Sequence, residues 1–152
     1  MALPNVFQTE DVEVLLNRLD QLTPDTQRKW GKMSVEQMLA HLHVAYELVY
    51  EQKHPQPNFL IRWIMKTFVK QHIVNETPYK QNIGTAPYFI ISDQRVFRTE
   101  QQRLRQYILK TQASGSGYFE GRTSHAFGPL TATEWNNMFY KHLDHHFRQF
   151  GV

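Results

Sequence analysis

Apolar residues recur along this chain with a period near 3.6, and four stretches carry that period strongly enough to predict helices. Over residues 9–22, Val12, Leu15, Leu16, Leu19 and Leu22 share one side, and Thr23-Pro24 ends the run, since proline has no amide to donate to a further turn. A second pattern covers residues 34–52 through Met38, Leu39, Leu42, Ala45, Tyr46 and Val49. It opens on Ser34-Val35-Glu36-Gln37, a spacing at which the Ser and Gln side chains each satisfy a free amide of the first turn. A third runs from an Asp93 cap through Phe97, Leu104, Tyr107, Ile108 and Thr111, and is expected to die in Ser114-Gly115-Ser116-Gly117. The fourth opens on a second capping box, Thr131 with Glu134, and continues nearly to the C-terminus.

The passage between the second and third helices, residues 58–92, is long. Residues 59–71 are apolar enough for a fifth, shorter helix, with Trp63 and Phe68 as candidate lids, before Thr77-Pro78-Tyr79 and Thr85-Ala86-Pro87 break regular structure. Irregular passages of that length inside a compact domain are often functional. The expected fold class is all-α: a four-helix bundle with a long, helix-containing connection between its second and third helices.

Composition narrows the possibilities. The 152 residues, 41% of them hydrophobic, suit a single domain spanning 1–152 with a proper core. There is no cysteine, which removes disulfides, thiolate ligands and a cysteine nucleophile. The formal charge is +3, but Lys and Arg are scattered singly, so no nucleic-acid face is expected. The greasiest stretch, residues 59–69, contains Arg62 and Lys66 and is too short to span a bilayer. No secretory signal pattern opens the chain, so a cytoplasmic location without membrane attachment is the expectation.

Chemistry concentrates in the histidines. His142 and His146 stand four apart in the last helix, so both rings leave the same side. With Trp135 at zero and about 100° per residue, Met138, Phe139, Leu143 and Phe150 form an apolar stripe. The two histidines fall near its middle, His145 toward an edge and Asp144 on the opposite, solvent side. Two core-facing imidazoles need partners, and one metal ion would serve both. Catalytic zinc sites want three protein ligands. The second helix offers His41 and His43 on opposite flanks of its stripe, and helical angle alone does not choose between them.

Trp30-Gly31-Lys32-Met33-Ser34-Val35-Glu36-Gln37-Met38-Leu39-Ala40-His41, with His125-Ala126-Phe127-Gly128-Pro129-Leu130-Thr131 and residues 140–149 around His142 and His146, resembles the DinB/YfiT-like metalloenzymes. It looks most similar to a branch of that superfamily known as a domain of unknown function. The resemblance covers essentially the whole chain. It implies a four-helix bundle in which one histidine of the second helix and the His-x-x-x-His pair of the last bind a divalent metal, zinc or nickel. Carried over by position, the ligands are His41, His142 and His146. The connection 58–92 is longer than in the simplest members of the family. The resemblance further implies metal-dependent hydrolysis, or transfer chemistry in which the metal activates a low-molecular-weight thiol supplied from solution.

Other residues carry weaker expectations. His125 is a candidate acid or base near a bundle mouth, set against a purely structural role. His145 reads as a solvated or inter-helix histidine. Glu47, one turn from His43, could orient it, although an exposed carboxylate is the plainer reading. Trp135 and Phe139 read as core. The competing functional class is a non-enzymatic helical protein acting through its surface, for instance as a homodimer.

Overall fold

A computed structural model describes residues 2–51 and 53–152. The chain is mostly helical. Helix α1 spans Thr9–Asp20, α2 Val35–Tyr50, α3 Phe59–Ile64, α4 Lys70–Val74, α5 Phe97–Phe119 and α6 Ala132–Gln149. A π-helical turn, Met65–Val69, joins α3 to α4, and a 3-10 turn, Pro87–Phe89, interrupts the loop before α5. Helix α2 lies along α5; α1 packs on α5 and α6; α6 also touches α2 and α4. The interior they share is filled by Leu15, Leu19, Met38, Leu39, Leu42, Leu104, Ile108, Trp135 and Phe139, the apolar stripes of the four long helices. No helix among the described residues is long and apolar enough to cross a membrane.

Both capping boxes form. The Ser34 hydroxyl accepts from Gln37 N while Gln37 Oε1 accepts from Ser34 N, and Thr131 and Glu134 do the same for α6. These caps fix where the two histidine-bearing helices begin, and so the rotation at which each presents its rings.

Several expectations need correction. Helix α5 starts at Phe97 with Val96 in the cap position and no side-chain cap; Asp93 stands three residues before the cap and pairs with Arg95 Nε at 3.0 Å. Its regular helix does break in the Ser-Gly run, at Gly115 with φ 71° and ψ 166°, a conformation open to glycine at little cost, and a short second helical stretch then runs on to Phe119. Trp63 and Phe68 are not lids. They are 52% and 62% exposed and pack edge-to-face on one another outside the core. The inward side of the same segment is instead Met65, Val69 and Ile73, and it runs on to Val74 rather than stopping at residue 71. Asp144 does not face solvent freely; Arg18 of α1 holds it at 2.9 Å. A two-residue antiparallel ladder, Thr123–Ser124 with Gly128–Pro129, turns the chain into α6 and carries no helical or strand period that the sequence could announce.

Candidate metal centre

His41, His142 and His146 converge. Each offers a ring nitrogen, and those nitrogens all lie within 4.8 Å of one another. Ring centroids are 4.9 Å apart for His41–His142, 4.5 Å for His41–His146 and 5.1 Å for His142–His146. The pair on α6 meets because residues four apart share a helix face, and α2 crosses α6 so that His41 enters from the opposite side.

Hydrogen bonds on the far side of two of the rings, His41 and His146, set their tautomers. His41 Nδ1 lies 2.8 Å from the Phe89 carbonyl; a carbonyl only accepts, so Nδ1 carries the proton and Nε2 keeps its lone pair. His146 Nδ1 lies 2.8 Å from Gln149 Oε1. That oxygen is identified because the Gln149 amide nitrogen donates to the Trp30 carbonyl at 2.8 Å. His146 therefore donates through Nδ1 and also presents Nε2. The Nε2 atoms of His41 and His142 are 2.9 Å apart. Two imidazoles on one tetrahedral zinc, at bonds of about 2.0–2.1 Å, would sit roughly 3.3 Å apart. A small outward adjustment accommodates an ion.

Electrostatics agree. Burial pushes the pKa of His41 down, with His145 adding to it and the Phe89 bond opposing. Burial, then repulsion from His41 and His146, takes His142 well below the usual imidazole range. Burial, reinforced by His41, brings His146 to about 3. All three are neutral at pH 7, the form that ligates metals.

His43 is elsewhere. It points into the α2–α5 interface, donating through Nε2 to the Glu100 carbonyl at 2.8 Å, with Nδ1 3.1 Å from the Glu100 carboxylate. Glu47 matches neither expectation held for it: it is buried and bonded to Lys53, His54 and Arg103 at 2.6–2.7 Å. Its partners come from the following loop and from α5, beyond the reach of helical spacing. His145 stands outside the group of three, its ring 6.0 Å from both Trp30 and Tyr79. His125 sits on the rim of the adjoining cavity, where its Nε2 donates to the Pro55 carbonyl at 3.0 Å.

Gln149 and Gly31 escaped the sequence reading. Gly31 adopts φ 81°, and a Cβ there would clash with the Gln149 side-chain amide. Gln149 stands three residues after His146 on the same face, which is the signal that could have marked it. The three histidines open onto a cavity of about 810 Å³ between α2, the α3–α4 segment and the loop ahead of α5.

Comparison with family models, curated proteins and solved structures found no match.

Proposed function

We propose that this protein is a metalloprotein that holds one divalent ion, zinc or nickel, through His41, His142 and His146, in a single-domain four-helix bundle of the DinB/YfiT-like kind. The observation that carries the reading is the tautomer pattern. Phe89 and Gln149 each accept a hydrogen bond from Nδ1 of a buried histidine, which leaves the Nε2 lone pairs of His41 and His146 free, with His142 Nε2 2.9 Å from that of His41. The depressed pKa values keep all three rings neutral, so the proton available between them is the single one that the His142 ring carries, and a divalent ion would take its place and draw on all three rings.

With three neutral ligands such an ion keeps its full charge and an open position, from which it polarises a substrate oxygen or lowers the pKa of water or a thiol toward neutrality. The chain's own residues define the rest. Phe89 packs its ring against His41 and His142 at 5.2 and 5.7 Å and shields them from bulk water. The described cavity wall contains no aspartate or glutamate, so the glutamate base of the metalloproteases has no counterpart here. His125 and His145 are the titratable groups on that wall able to accept a proton. The corresponding activity is hydrolysis, or group transfer to a small thiol.

Metal analysis of the purified protein tests the reading. About one zinc or nickel per chain is expected, lost in His142→Ala while helical circular dichroism is retained. A protein that stays metal-free after incubation with both ions contradicts it.

A further inference from the structure

Resting on that metal reading, we infer that the ligand of this site is a small molecule with an apolar, uncharged body and one anionic head directed at the three histidines. The cavity, about 810 Å³, lies within the range that encloses drug-sized ligands. Its wall is largely hydrocarbon: Leu48 and Val49 from α2, Met65 and Val69 from the π turn, Ile73 from α4 and Tyr88 from the loop. The π turn matters. Met65, Val69 and Ile73 repeat every four residues and face inward, while Arg62, Lys66 and Phe68 of the same segment are exposed. Such turns are rare and occur frequently at functional sites.

Charge decides the chemistry of the body. Apart from histidines, Lys32 is the one charged side chain among the described residues of the wall, and no carboxylate is present. A ligand carrying ammonium or several carboxylates would leave those charges without a counter-charge on the wall, at a cost of a few kcal/mol each. At the histidine end the balance reverses. Three neutral imidazoles leave a dication uncompensated, so a single anionic group is favoured there. An apolar body bearing one anionic head fits both ends; a zwitterionic or polyanionic ligand fits one.

Carboxylates of graded length test this. Butanoate, hexanoate, octanoate and glutarate are titrated against zinc-loaded protein, and butylbenzene against metal-free protein, by calorimetry and by fluorescence of Trp30 and Trp135, which line the cavity. Affinity is expected to rise about three- to fourfold per methylene from butanoate to octanoate, with glutarate binding no more tightly than butanoate. Ile83 and Ile90 line the cavity from a loop where both are more than half exposed, so I83E with I90E should fold, take up zinc and flatten the series. A flat series in the unaltered protein, or glutarate binding more tightly than hexanoate, overturns the inference. The two readings fail separately. Zinc uptake without butylbenzene binding removes the apolar body and keeps the metal; butylbenzene binding without zinc uptake does the reverse.

Discussion

Gln149 shows how far one side chain can govern the site. It receives the His146 proton through Oε1 and is anchored by its own amide on the Trp30 carbonyl, and Gly31 leaves the gap in which that amide lies. Groups that orient a metal ligand typically carry 10–100-fold of metal affinity. Gln149→Ala is therefore expected to weaken zinc binding about 10–100-fold in competition with a chromophoric chelator, while costing about 1–2 kcal/mol of stability for the orphaned polar groups. Gly31→Ala should act in the same direction without touching a ligand, since it forces an L residue into φ 81° and displaces Gln149. Undiminished zinc affinity in both variants would mean that the Trp30–Gln149–His146 chain has no bearing on the ligands. In the sequence the histidine pair was legible because spacing by four fixes two rings on one face. The selection of His41 over His43 was not, since both flank the same stripe and the deciding partners, Phe89 and Glu100, lie on distant segments.

Among the elements, the segment from α3 through the π turn to α4 departs most from its pattern. Its apolar residues divide unequally: Met65, Val69 and Ile73, spaced by four, face the core through the π turn, while Trp63 and Phe68 stay outside. Trp63→Ala should accordingly change the unfolding free energy by no more than about 0.5 kcal/mol in urea denaturation; a loss of several kcal/mol would restore it as a lid. The far end of the segment is held differently. Lys141 of α6 is buried, and its ammonium shares its three protons among four acceptors, the His72, Ile73 and Asn75 carbonyls and Asn75 Oδ1, at 2.8–3.1 Å, while lying over the Tyr79 ring at 4.4 Å. A cation is well placed on the free carbonyls at a helix C-terminus. Lys141→Met, similar in length but unable to donate, should cost about 2–3 kcal/mol by the same method. The four long helices were readable from apolar period and two capping boxes. The break at Gly115 was legible in the Ser-Gly run, whereas the π turn and the lysine clamp were not, because each depends on a partner or a backbone state that leaves no periodic trace.

At the scale of the whole molecule, the site is a cost that the metal-free fold bears. His41, His142 and His146 are held neutral by burial and by one another, His146 down to about 3. In the unfolded chain each takes a proton near pH 6.5. Below that pH the unfolded chain binds more protons than the folded one, so stability is intact above about pH 6.5 and is lost as pH falls toward 3. The thermal midpoint of the metal-free protein should therefore drop between about pH 7.5 and pH 5, and zinc should raise it at the higher pH far more than at the lower, because protons compete for the same nitrogens. A midpoint unchanged across that range would mean the imidazoles are not buried together. The most direct measurement is X-ray absorption at the zinc edge on the loaded protein. Three imidazole nitrogens at about 2.0–2.1 Å, falling to two in His41→Ala, is the expected result; a zinc shell with one imidazole or none, or one indifferent to His41→Ala, would contradict the account.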